Sequence, residues 1–378
     1  MSASIYHKLA KHLDNQPGGY PSTPDGVEIR ILKLLFTPDE AEFALHLNMI
    51  AEEPTTLAVR AGISAEKAQN LIENMTTKGL VFKIRKDGKP DSYMAGQFIV
   101  GIWELQVGRL TPELAREMEA YMPVVLSADV WQKTPQMRVI PINKSIDPVL
   151  RVMTYENAEA LVKTKTSFVI TPCICRKEKA LKGHICEKPV ETCITFGSDE
   201  DFFLKTGAGR KASLDEVLEL LALADKAGLV LQPTNGKDIS WICCCCGCCC
   251  ALLRNIKKSP NPGEIIASPF YAVVDADRCT GCGICLKRCQ VDAISFSGDL
   301  AEIMKKRCIG CGLCVTTCPW KAIVLKRKTK IDQPVLPDSF TMTYLRLAKK
   351  RGKIDPLSLS LMAGKSMKDR FKARNKND

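Results

Sequence analysis

What the 378-residue sequence lacks narrows its function first. Nowhere do eighteen successive residues stay apolar, so no membrane-spanning helix is expected. The opening stretch MSASIYHKLAKHLDNQ has no apolar run of the secretory kind, which makes cytoplasm the expected compartment. No glycine fingerprint for a dinucleotide follows a candidate strand, there is no P-loop, and no nucleophile stands with a recognisable base. No stand-alone enzyme is therefore legible. Net charge is nearly absent until the C-terminal end. From Lys321 to Asp378 sixteen Lys and Arg face five Asp and Glu, a surplus of eleven out of the chain's +12. An apolar fraction of 46% suffices for the packed cores of two or three domains.

Cysteine is the opposite case. Nineteen are present, clustered at metal-binding spacings in a long chain, which argues against a secreted disulfide scaffold and for conditions low in oxygen. The run CxxCxxCxxxC occurs twice: Cys279, Cys282, Cys285 and Cys289 return as Cys308, Cys311, Cys314 and Cys318 at a shift of 29 residues. Ala293 and Ile294 return as Ala322 and Ile323 at the same shift, so the repeat is structural as well. Three thiolates at this spacing wrap one face of an iron-sulfur cube, and the fourth cysteine of each run reaches the other cube. One [4Fe-4S] cluster is thereby assigned to Cys279, Cys282, Cys285 and Cys318, and a second to Cys289, Cys308, Cys311 and Cys314. Gly281, Gly283, Gly310 and Gly312 let the backbone approach each cube.

On these motifs the stretch from about 271 to 330 resembles the bacterial two-cluster ferredoxins, with their pseudo-twofold repeat. It departs from them after Cys289, where Gln290 stands in place of the family's proline, and a looser first turn is expected there.

The fold class expected for the whole is α+β and multidomain. Residues 1–25, with QPGGYPSTPDG, read as an N-terminal arm. Residues 26–110 read as a winged helix-turn-helix-like domain. It has a helix from Val27, a second from Pro38 to about Ile50, a short one at Thr55 to Ala61 and one capped by Ser64. A hairpin of Leu80 to Arg85 and Ser92 to Phe98 follows, turning at Asp87-Gly88. DNA binding and protein docking are the two readings of such a domain. The candidate recognition helix, SAEKAQNLIENMTTKG, balances Glu66 and Glu73 with Lys67 and Lys78, whereas the wing holds Lys83, Arg85, Lys86 and Lys89.

Residues 111–150 read as a connector, and residues 151–262 as a cysteine-rich domain of mixed α/β type. There Cys173, Cys175, Cys186 and Cys193 precede Cys243, Cys244, Cys245, Cys246, Cys248, Cys249 and Cys250. In an extended chain neighbouring side chains face opposite ways, so only about half of that run can serve one centre unless the chain coils at Gly247. Cys173, Cys175, Cys186 and Cys193, with members of the run, are the candidate ligands of a third iron-sulfur centre. A structural zinc site and plain buried thiols are the alternatives. The CxCR and polycysteine features are similar to those of the middle part of dicluster-ferredoxin proteins of anaerobes.

Residues 270–330 form the two-cluster unit, and residues 331–378 a basic tail placed to steer an acidic redox partner or oxidoreductase subunit. The expected function is relay of single electrons. A redox-sensing DNA-binding regulator and an iron-sulfur reductase with an open site in the polycysteine region are the alternatives.

Overall fold

The computed structural model describes residues 2–85, 88–133, 135–142, 145–146, 153–197 and 200–375. Its secondary structure is mixed α+β with several small sheets. Two compact units are distinguished: Met1–Val125 with Asp201–Ala208 and Tyr344–Asp378, and Leu126–Glu200 with Gly209–Thr343.

In the first unit local signals set the helix ends. Thr37 and Glu40 form a reciprocal capping box at the start of the helix Pro38–Ala44. Gly62, at φ 68°, closes the helix Pro54–Ala61, and Ser64 accepts from the Lys67 N–H to open Ala65–Thr77. The helix from Pro38 stops at Ala44 rather than near Ile50: the N–H groups of Leu45, His46 and Leu47 turn to the carbonyls three residues back, and the Asn48 side chain then takes the Ile50 N–H at 2.7 Å in a local turn. Strand β1 (Val81–Ile84) pairs antiparallel with β2 (Ser92–Ala95); Asp87 of the expected turn and Lys86 lie outside the described residues.

The N-terminal stretch, expected as an arm, begins with a helix. Residues Ser2–Asp14 form a helix that buries Ile5, Tyr6, Leu9 and Leu13. Tyr20, in the turn-forming stretch, is buried edge-on against the rings of Phe98 and Tyr121. The helical period of these apolar positions, masked in the sequence by the glycines and prolines that follow, is what removes them from water. The basic C-terminal stretch is likewise helical. Its last helix, Pro356–Arg374, packs along Pro54–Ala61, with Arg60 held between Glu52 at 2.7 Å and Asp369 at 2.8 Å.

The second unit is built on a five-stranded antiparallel sheet: β3 (Val169–Pro172), β4 (Glu191–Thr195), β5 (Arg210–Lys211), β6 (Val230–Pro233) and β7 (Trp241–Cys245), in the order β5-β3-β4-β7-β6. The helix Leu214–Ala227 covers it. Ser213 caps that helix by accepting from the Glu216 N–H, and Gly228, at φ 75°, ends it. Its Val217, Leu221 and Ala224 share a core with Ile170, Ile194, Leu231, Ile242 and Cys244.

Two small sheets complete the unit. Strand β8 (Phe270–Val274) pairs with the last strand, while β9 (Ile294–Ser297) and β10 (Leu300–Ile303) form a hairpin; the last strand is β11 (Ile323–Arg327). The end of the covering helix docks here. Asp225 accepts from the Thr316 hydroxyl at 2.7 Å, and Arg288 donates to the Lys226 carbonyl at 2.9 Å. A helix C-terminus, rich in unpaired carbonyls, is a natural seat for a guanidinium.

Candidate metal centres

The two cysteine runs adopt the same backbone twice. Gly281 and Gly283 have φ of 67° and 74°, and Gly310 and Gly312 have 68° and 78°, each pair leading into a short helix, Ile284–Arg288 or Leu313–Thr317. Past the fourth cysteine, Asp292 and Lys321 match again at 52° and 51°. The glycines are needed for contact as well as for φ. A Cβ on Gly281 would lie 2.2 Å from the Asp299 carbonyl oxygen, and one on Gly310 2.3 Å from that of Phe270.

Two hollows result. One is lined by Cys279, Cys282, Cys285 and Cys318 together with Ile284, Phe296 and Trp320. The other is lined by Cys289, Cys308, Cys311 and Cys314 with Val291, Ile309 and Leu313. Each gathers three thiols of one run and the last thiol of the other. The Ala293 and Ala322 N–H groups donate to the sulfurs of Cys289 and Cys318 at 3.1 and 3.3 Å, and the Ala272 N–H to that of Cys308 at 3.4 Å. Such donors favour the thiolate. Burial opposes it: the Cys311 thiol is pushed up to about 12, and Cys285, Cys308 and Cys314 are raised for the same reason. Apolar walls, thiols reluctant to ionise alone and inward N–H donors suit a positively charged metal core that displaces the protons.

Residues 272–325 match the family model described as a 4Fe-4S dicluster domain. The chain carries an iron-sulfur, ferredoxin-like domain. The match covers this stretch and not the remaining sequence, and no curated protein matches the chain.

Outside the dicluster domain, the other eleven cysteines separate by position. Strand β7 alternates, so Cys244 enters the hydrophobic core while Cys243 faces Cys193 on β4, sulfur to sulfur at 3.9 Å. Cys245 contacts Cys243 and Cys250, Cys250 contacts Cys175, and Cys175 contacts Cys173. The contacts with Cys243 and Cys250 pull Cys245 down to about 7. Gln232 donates to the Cys250 sulfur at 3.8 Å. Cys173, Cys175, Cys193, Cys243, Cys245 and Cys250 are thus linked in one chain of thiols.

Cys186 falls elsewhere. It joins Cys246, Cys248 and Cys249, the four sulfurs lying within 4.8 Å of one another. His184, on the same loop, is exposed and outside this set.

Arg176 is the arginine of the CxCR feature, Cys173-Ile174-Cys175-Arg176. It is 2% exposed, donates to the Cys244 carbonyl at 2.9 Å, and among the described residues has no hydrogen-bond partner at Nε. Its charge acts on Cys173, Cys246 and Cys245, which raise its own pKa against the effect of burial. The Cys249 thiol and then Arg176 hold Cys246 far below the usual thiol range. The signal was a charged residue directly after a CxC pair, which a cluster of thiolates would need for compensation.

The turn after Cys289 is not loose. Gln290 donates to the Arg288 carbonyl at 3.1 Å and accepts from the Gly247 N–H at 2.7 Å, so a side-chain tie replaces the stiffness of proline.

Proposed function

We propose that this protein relays single electrons through two [4Fe-4S] clusters, one on Cys279, Cys282, Cys285 and Cys318 and one on Cys289, Cys308, Cys311 and Cys314. The observation that carries the reading is the crossing of the runs, each hollow taking its fourth thiol from the other repeat. When bound, clusters of this kind accept and release one electron at a time, commonly at low potential. The protein's part is to hold the thiolates, exclude water with Ile323, Ile309 and Leu313, and aim N–H groups at the sulfurs.

A third iron-sulfur centre fits the thiol chain Cys173, Cys175, Cys193, Cys243, Cys245 and Cys250, with Arg176 as its buried counter-charge. The cysteine-rich region meets the dicluster domain where the Gly247 N–H, between Cys246 and Cys248, donates to Gln290, the residue after the remote ligand Cys289. An oxidoreductase subunit with an acidic docking face suits the basic surplus after Lys321.

The helices Pro54–Ala61 and Ala65–Thr77 with the β1–β2 hairpin support a winged-helix-like domain used for docking rather than for DNA. Lys67, Lys78 and Lys83 are paired with Asp39, Glu40 and Asp91, and Arg85 with Asp91 and Asp201. Cations so engaged are poorly placed to displace counterions from phosphates.

Iron and acid-labile sulfide analysis of the full chain, purified without oxygen, tests the proposal. Cys282→Ser and Cys311→Ser are each expected to cost up to about four irons with their sulfides, one cube at a time. Unchanged iron in both variants would refute it.

A further inference from the structure

We propose that Cys186, Cys246, Cys248 and Cys249 hold a single thiophilic divalent ion, zinc or ferrous iron, in a closed four-sulfur site separate from the iron-sulfur clusters. The argument is one of size. Sulfurs bound tetrahedrally at about 2.3 Å from one ion lie about 3.8 Å from each other. In this set Cys186 stands 3.8 Å from Cys248 and 4.0 Å from Cys246, and Cys248 stands 3.7 Å from Cys249. A four-iron cube interposes an iron at each corner, so its thiolates must stand farther apart. The two quartets of the dicluster domain are not drawn in this way: among the described residues, the set with Cys186 is the one whose ligand atoms all fall within 4.8 Å.

The backbone explains how adjacent cysteines reach one ion. Residues 247–249 turn, with the Cys250 N–H donating to the Cys246 carbonyl at 3.1 Å, so Cys248 and Cys249 are no longer on opposite faces of an extended chain. Cys246 and Cys249 are buried, Cys248 is exposed, and Cys186 arrives from a loop whose Ile185 is 89% exposed. Four sulfurs complete a tetrahedral shell, leaving no open position, as in structural sites. The ion would tie the exposed loop around Cys186 to the turn that meets Gln290. Binding replaces the thiol protons, which pass to solvent.

The inference does not depend on the electron-relay reading, and one set of measurements separates them. Total metals and acid-labile sulfide are measured on the full chain purified without oxygen, on Cys186→Ser and on Cys248→Ser, with X-ray absorption at the edge of the metal found. If the ion is zinc, the wild type holds about one zinc in a four-sulfur shell at about 2.3 Å, and both variants lose it with iron and sulfide unchanged. If it is iron, the wild type holds one iron more than its sulfide, and both variants lose that iron alone. Loss of sulfide together with several irons in the variants would overturn the proposal. So would a wild type without zinc whose iron and sulfide are equal, a result that needs no variant to fold. Failure of the relay reading would appear separately, as a wild type without iron-sulfur clusters.

Discussion

Gln290 accepts a hydrogen bond from the Gly247 N–H at 2.7 Å, joining the residue after Cys289 to the glycine between Cys246 and Cys248. The contact is close: a Cβ on Gly247 would lie 2.6 Å from the Gln290 carbonyl oxygen. Gln290→Ala is expected to destabilise the chain by roughly 1 to 3 kcal/mol, because it strands a partly buried donor. Denaturant unfolding of the anaerobic protein checks this. Gln290→Pro, which restores the residue usual in two-cluster ferredoxins, is expected to be no more stable than Gln290→Ala.

Gly310 offers a harsher test of the dicluster loops. Replacement by Ala combines a positive φ of 68° with a Cβ 2.3 Å from a backbone oxygen. The expected outcome for Gly310→Ala is loss of iron from the hollow of Cys308, Cys311 and Cys314, read as a fall in visible absorbance and iron content. Gly298→Ala is the comparison, since its Cβ would meet nothing within 4 Å.

Much of the dicluster domain was legible because metal ligation fixes spacing. The doubled cysteine runs, the glycines and the strand pairing of β8 with β11 all follow from that constraint. The N-terminal helix was hidden by the turn residues after it, although Leu9 and Leu13 carry the periodicity. The polycysteine run was harder. Alternation along β7 separates Cys243 from Cys244, but the division of Cys246, Cys248 and Cys249 from Cys245 and Cys250 depends on the turn at Gly247 and on partners fifty or more residues away. Nothing in local sequence fixes which sheet neighbour meets which thiol.

Arg176 distinguishes a metal-holding middle domain from one with plain buried thiols. Arg176→Gln keeps a polar, hydrogen-bonding side chain, though a shorter one, and removes the cation beside Cys173, Cys245 and Cys246. Iron content is expected to fall toward that of the dicluster domain alone, about eight atoms. Plain buried thiols would leave metal content indifferent to the change.

His12 sets a pH dependence. Burial is the main cause that lowers its pKa, with His46 adding to it and the Leu47 carbonyl at 2.9 Å opposing. The unfolded chain therefore takes up the proton more readily than the folded one. The stability contribution is complete above the unfolded pKa, about 6.5, and is lost as pH falls through the lower folded value. Unfolding free energies measured between pH 8 and pH 5 should decline more steeply for the wild type than for His12→Gln.

The crossed thiol sets are tested most directly by electron paramagnetic resonance of the full chain, purified and reduced without oxygen. The expected spectrum includes two neighbouring reduced [4Fe-4S] clusters with magnetic interaction between them, and that interaction is expected to vanish in Cys282→Ser and in Cys311→Ser. A reduced protein with no such signal, its dicluster hollows holding zinc or no metal, would contradict the account.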